Sequence, residues 1–279
     1  IEQSNYDEAW GRLETAVNIC YRRENGTGIA KTHYFQGCIL FDQGHYKEAE
    51  KQLQQSIAFA IQLEDRRIEA NATEQLARVY FEMDDSTERA EQLVLQAMKM
   101  HQTHSNRFGQ TKMYRLLSNI EIRNGNLDEA EKQAITAREM SEQIQDPVEK
   151  GLANYLLVAI YSMQESYEKA EVLAQESLEI FRRRGNRRYE AMVLNEISLN
   201  HLALGYPEKS LQITQQTLQI FRQIEERLGY AYAMRHLGDI FKQLGHPQQS
   251  LEAWQEAKQI AEYLNHSHLL GQLENRLEA

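Results

Sequence analysis

The sequence predicts an all-α solenoid of antiparallel helix pairs, each stacked on the next, and three observations lead there. A small residue recurs at Ala9, Ala49, Ala90, Ala130, Ala170, Ser210 and Ser250, in steps of 40, 41, 40, 40, 40 and 40 residues. A second ladder keeps the same period through Asn25, Asp65, Asn106, Asp146, Asn186, Glu226 and His266. Self-similarity at a fixed period is the mark of a repeat architecture. Third, 279 residues contain only 3 prolines and 14 glycines, which suits long helices and short turns better than a many-stranded sheet.

Each element follows from local chemistry. The first ladder sits in a recurring text: Gly44-His-Tyr-Lys-Glu-Ala, Gly125-Asn-Leu-Asp-Glu-Ala, Gly205-Tyr-Pro-Glu-Lys-Ser and Gly245-His-Pro-Gln-Gln-Ser. Glycine at 44, 125, 205 and 245 takes positive φ and ends one helix. Pro207 and Pro247 stand near the first turn of the next, where a missing N–H removes no bond. The 41-residue step falls where Asp84-Asp85-Ser86-Thr87 replaces the glycine turn. At the other junction the Asn/Asp ladder supplies helix-capping or turn chemistry. Apolar residues between these marks keep helical spacing, as in Leu194, Ile197, His201 and Leu204, then Leu211, Thr214, Leu218 and Phe221.

One helix of each pair is expected to begin near Ile29, Ile68, Gln110, Glu149, Arg188 and Leu228. Each of these first helices carries a small residue at one position, Gly37, Ala77, Ser118, Ser198 or Gly238, with Val158 the exception. A small side chain there lets the second helix approach. A single pair cannot bury its apolar faces alone, so neighbours must stack. The expected organisation is one array over 1–279: a partial unit at 1–24 with a second helix only, six full units over 25–265, and a partial unit or capping helix at 266–279. The chain opens on Ile1 in mid-repeat, so a segment of a longer protein, with upstream sequence covering the first helix, is the expectation.

Composition narrows the function. A formal charge of -10 argues against direct nucleic-acid binding, which works by neutralising phosphates. Cys20 and Cys38 are too few for a disulfide framework and form no CxxC, so a reducing cytoplasmic setting is expected. No stretch approaches the roughly 20 apolar residues of a membrane span, and no secretory signal pattern opens the chain.

Three local motifs invite chemistry and each has a plainer reading. Gly26-Thr-Gly-Ile-Ala-Lys-Thr32 resembles a phosphate loop, but Asn25 and Ala30 occupy the positions that need glycine and no strand is predicted before it. Arg182 to Arg188 holds five arginines, which suit the end of a helix and a solvated junction. His101-x-x-His104 is the one histidine pair at helical spacing, and no nearby carboxylate or cysteine completes a metal site. No catalytic residue, cofactor or metal is expected.

The repeat text carries a family resemblance. Leu237-Gly238-x-x-Phe241 followed by Gly245-x-x-x-x-Ser250 resembles the tetratricopeptide signature, and Leu76-Ala77-x-x-Tyr80 and Leu157-Val158-x-x-Tyr161 share the frame. The family's usual period is 34; six extra residues add roughly 9 Å of helix per unit at 1.5 Å per residue. Such long units resemble the sensor arrays of bacterial STAND/NB-ARC-type regulators, peptide-sensing bacterial regulators and the adaptors that orient animal cell division. The resemblance implies a right-handed superhelix whose first helices line a concave groove. Carried over by register, the groove residues are Asn71, Glu74 and Arg78; Lys112, Arg115, Asn119 and Arg123; Leu152, Tyr155 and Met163; Met192, Asn195 and Leu199; and Tyr232, Arg235 and Asp239. That wall suits an extended peptide, with arginine holding a carboxylate and asparagine bonding the backbone. A protein or peptide ligand, and further domains in the full-length protein, are the expected partners. The alternative is a structural scaffold assembling through its outer face or ends.

Overall fold

The computed structural model describes residues 2–83, 87–264 and 266–278. The Asp84-Asp85-Ser86 insertion therefore lies outside the described residues. Among these there are fourteen helices and no strand: α1 Glu2–Arg22, α2 Gly26–Asp42, α3 Tyr46–Gln62, α4 Arg66–Glu82, α5 Thr87–Thr103, α6 Arg107–Asn124, α7 Leu127–Gln143, α8 Pro147–Met163, α9 Tyr167–Arg183, α10 Arg187–Ala203, α11 Pro207–Gln223, α12 Arg227–Gln243, α13 Pro247–Tyr263 and α14 Ser267–Leu277. The first helices start one to three residues earlier than the apolar pattern predicts, because the capping residue rather than the first buried residue sets the boundary.

The second ladder is a ladder of N-caps. Asn25 Oδ1 accepts from Gly28 N–H at 3.0 Å, Asp65 Oδ1 from Ile68 at 3.1 Å, Asn106 from Gly109 at 3.0 Å and Asn186 from Tyr189 at 3.3 Å. Asp146 serves both Val148 and Glu149, while Glu226 and His266 reach Gly229 and Leu269 with longer side chains. Each such bond satisfies an N–H that has no partner inside the helix and is worth about 1 kcal/mol.

Every described junction also needs a left-handed residue. Gly44, Gly125, Gly205 and Gly245 supply it with φ between 77° and 81°, and between α8 and α9 Glu165 does so with φ 58°. The residue just before six of the capping positions does so too, and there it is Glu24, Glu64, Ser105, Gln145, Gly185 and Glu225. The reward is the carbonyl bonding beyond: Glu24 N–H donates to Tyr21 O at 3.2 Å and Asn25 N–H to Cys20 O at 2.9 Å, closing the helix end in a Schellman motif.

The chain forms two compact units, Ile1–Asn126 and Leu127–Ala279. In the first, α2 packs on α3 and α4 on α5, with α1 against α2 and α6 against α5. Its core joins Leu53, Val79, Val94, Met113 and Ile120. In the second, α8 packs on α9, α10 on α11 and α12 on α13, with α7 and α14 at the ends. Its core runs through Val158, Phe181, Leu194, Ile197 and Phe221, then Trp254, Leu269 and Leu273.

The small-residue ladders set the close approach within pairs. Ala77, Ser118, Val158 and Ser198 are fully buried, as are Ala49, Ala90, Ala130, Ala170 and Ser210. A Cβ on Gly37 would stand 2.6 Å from Leu53, and one on Gly238 would stand 2.3 Å from Trp254. Within each unit the first helices also touch one another, α2 with α4, α4 with α6, α8 with α10 and α10 with α12. No two second helices of a unit make comparable contact among the described residues. The first helices thus lie on the tighter, inner side of each stack, which is where a ligand-binding wall belongs.

Candidate ligand-binding walls

In the Ile1–Asn126 unit the wall is made by α4 and α6. Glu74, at a register position expected to face a groove, is 4% exposed. Its carboxylate is ion-paired with Lys112 of α6 and lies 3.2 Å from Nε2 of His101 of α5. Burial pushes the Glu74 carboxyl up, but His101 and Lys112 outweigh it and hold the group below the usual carboxylate range. Arg78 donates to Gln75 at 3.0 Å and stacks over Phe41. Arg123 donates to the Phe81 carbonyl and its guanidinium lies 3.8 Å above the Phe81 ring. Asn71, Arg115 and Asn119 are half-buried on the same helices. Asn71 also lines a cavity of about 400 Å³ with Arg66, Arg67, His101, His104 and Asn106.

The motifs with plainer readings resolve locally. His101 uses both ring nitrogens, one on Glu74 and one on Asn106 at 3.0 Å, and His104 bonds the Met100 carbonyl of its own helix. Gly26 and Gly28 form the capped first turn of α2. In the arginine run, Arg182 and Arg187 both hold the buried Glu190, Arg183 pairs with Glu179, and Arg188 lies 3.6 Å from Glu226.

In the Leu127–Ala279 unit the wall is made by α8, α10, α12 and α14, and it is completed differently. Leu152 is buried, Met163 is exposed, and Tyr155, Met192, Asn195, Leu199, Tyr232, Arg235 and Asp239 are half-buried. Asp239 is held by Arg276 of α14 through bonds of 2.6 and 2.9 Å, and it accepts from Trp254 Nε1 at 3.1 Å. Arg235 donates to Gln272 of α14 and sits 5.6 Å from the centre of the Tyr232 ring. Its Nε is buried without a hydrogen-bond partner, and so is Oδ1 of Asn195. Burial, with Arg276 close by, pushes the Arg235 guanidinium below its usual value.

The Tyr155 hydroxyl lies near Glu196, a residue one step off the expected register. Glu196 is half-buried by solvent exposure, but its carboxyl is densely surrounded, and burial pushes it up to about 7 despite Arg235 nearby and the Tyr155 hydroxyl. Burial and the Glu196 charge together raise Tyr155 well above a normal phenol. Behind this wall Ser198, Ser210 and Thr214 share a buried hydroxyl network, which His236 joins at 3.0 Å from Ser198. Burial lowers His236 to about 4, so it stays neutral there.

Register placed Glu74 and Lys112 on neighbouring first helices and Arg235 and Tyr232 on one face of α12, and the structure brings each pair together. It missed Glu196, Gln272 and Arg276. Gln272 stands one 40-residue period after Tyr232, so extending the same frame into α14 would have found it.

Two family models described as tetratricopeptide repeat match the sequence, one over residues 110–183 and one over 37–65. Those two segments carry tetratricopeptide repeats. No curated protein matches it in sequence. Among solved structures, the Rap conjugation gene regulator of plasmid pLS20, in complex with the Phr* peptide, superposes with a TM-score of 0.78 at 16% identity, over 94% of this chain and 71% of that one. BtubC from P. vanneervenii gives 0.62 at 20% identity, over 79% and 92%. A signal-transduction STAND ATPase with a tetratricopeptide repeat sensor, from Pyrococcus horikoshii, gives 0.62 at 17% identity. The alignment spans 98% of this chain but 47% of that protein. At these identities the likeness is one of fold, a solenoid of stacked helix pairs.

Proposed function

We propose that the chain is a non-catalytic peptide-binding module, the sensor or interaction domain of a larger bacterial regulator working in the cytoplasm. Its guest lies along the inner side of α8, α10 and α12. The observation that carries this reading is the pair of buried, unpartnered atoms on adjoining first helices, Asn195 Oδ1 and Arg235 Nε. An unsatisfied buried polar group costs about 1–3 kcal/mol. One acceptor and one donor on adjoining first helices match the N–H and C=O of an extended main chain. The Rap regulator solved with a peptide and the STAND protein with a repeat sensor share the fold and support the same use.

Sensing would follow from differential binding. A guest bonded to both α10 and α12 favours the arrangement in which these helices are close, and biases any neighbouring domain that reads it. The test is affinity of the intact chain for a short-peptide library, with Asn195→Ala beside the wild type. The wild type should bind, and the variant should lose about tenfold in affinity. Equal affinity would remove this wall from consideration.

A further inference from the structure

We propose that the cavity where α4, α5 and α6 meet is a second ligand site, one that takes a phosphate group, free or carried by a small ester. It lies in the Ile1–Asn126 unit and does not rest on the peptide reading.

The cavity, of about 400 Å³, is lined by two arginines, two histidines and two asparagines, with Ala70 and Met100, and by no carboxylate. Pockets for small molecules span roughly 300–1,000 Å³. In a chain with 41 acidic residues against 31 basic ones, such a lining inverts the overall charge. The two buried carboxylates of α4 are committed to other partners, Glu69 to Arg66 and Glu74 to Lys112 and His101. Arg67 and the Asn71 amide have no partner among the described residues. His104 gives its Nδ1 hydrogen to the Met100 carbonyl at 2.9 Å, which leaves Nε2 with a free lone pair.

In the same repeat frame, the Leu127–Ala279 unit has Arg187 and Arg188 at the places of Arg66 and Arg67. There the cap that follows is Glu226, and Arg188 lies 3.6 Å from its carboxylate. At the α4 junction the following cap is Asn106, which is neutral and donates to His101 instead. Asn71, His101 and His104 correspond to Met192, Phe221 and Ile224. One junction is apolar and neutralises its arginine. The other is polar and leaves Arg67 without a counter-charge.

A phosphate answers these groups better than a carboxylate does. A guanidinium binds phosphate through two parallel N–H bonds, and further oxygens remain for the Asn71 amide. Phosphate monoesters lose their second proton near about pH 6, in the range where imidazoles titrate. The phosphate and His104 Nε2 can therefore share one proton across a hydrogen bond. A carboxylate has already lost its proton there.

Isothermal titration calorimetry of the full chain, at neutral pH and constant ionic strength, tests the site with inorganic phosphate, glycerol phosphate and succinate as probes. The wild type should bind at least one phosphate probe about tenfold or more tighter than succinate, and Arg67→Gln should weaken that binding about tenfold. Arg188→Gln should leave it within about twofold. Both arginines are exposed, so neither substitution threatens the fold, and circular dichroism checks this. Tighter binding of glycerol phosphate points to an ester as the ligand and tighter binding of inorganic phosphate to the free ion; either supports the site. No binding of either phosphate probe, an equal affinity for succinate, or equal losses in Arg67→Gln and Arg188→Gln would overturn it, as would an affinity that Arg67→Gln leaves unchanged.

Discussion

In the Ile1–Asn126 unit, the residue three before the small position of α4 is Glu74, sealed between Lys112 and His101. In the Leu127–Ala279 unit the same position holds Tyr155, Asn195 and Arg235 on successive first helices, and two of these three keep a buried polar atom without a partner. One wall satisfies its own charges across α4, α5 and α6, so a guest there must displace bonds already made. The other leaves an amide oxygen and a guanidinium nitrogen without a partner. Register decides which side chains face the inner side; completion by neighbours decides which of those places are open to a ligand.

The sharpest break in this comparison comes from the two acidic residues. Glu74→Ala strands a lysine and a histidine in a dry site and should destabilise the fold by roughly 3 kcal/mol in urea unfolding; a change near zero would mean that the first wall is not self-completed. Glu196→Gln should go the other way. The Glu196 carboxyl is raised from 4.5 to about 7, so between these values the folded chain holds a proton that the unfolded chain releases. Native stability therefore falls as pH rises from 4.5 through 7, and the variant escapes this loss. Its advantage should be absent at pH 4, complete above pH 7, and roughly 2 kcal/mol. An advantage that does not vary with pH would contradict the assignment.

Helix approach gives a smaller contrast. Gly238→Ala pushes a methyl against Trp254, whose Nε1 is fixed on Arg235 O and Asp239, so about 2 kcal/mol of destabilisation is expected. Gly37→Ala meets the Leu53 side chain closely and the Ala49 carbonyl at an ordinary 3.4 Å and should cost about 1 kcal/mol. Thermal unfolding of the two variants ranks them; the reverse order would refute the packing argument. Smallest are the left-handed turns. Glu64→Gly should stabilise and Gly185→Ala destabilise, each by about 0.5–1 kcal/mol, and matching signs would show that these turns carry no strain.

Much of the fold was legible because its signals are local. The Asn/Asp ladder announced caps, and caps they are, since a short polar side chain reaches only the next turn. The glycine turns were legible for the same reason. The companion turns at Glu24, Glu64, Ser105, Gln145 and Glu225 were not, because carbonyl bonding after the helix end stabilises a left-handed residue of any type there. For the walls, periodicity gave positions and could not give partners. Glu74 reads as a solvated groove residue until His101, 27 positions away, is seen against it. Glu196 falls one residue off the register, and its importance lies in how Tyr155 and Arg235 surround it.

The account turns on where a guest lands. Hydrogen–deuterium exchange of the intact chain, with and without a bound library peptide, reads this directly. Slower exchange in α10 and α12, at Arg187–Ala203 and Arg227–Gln243, with α4 and α6 unchanged, is the predicted result. Protection confined to α4 and α6, or to the second helices of either unit, would contradict it.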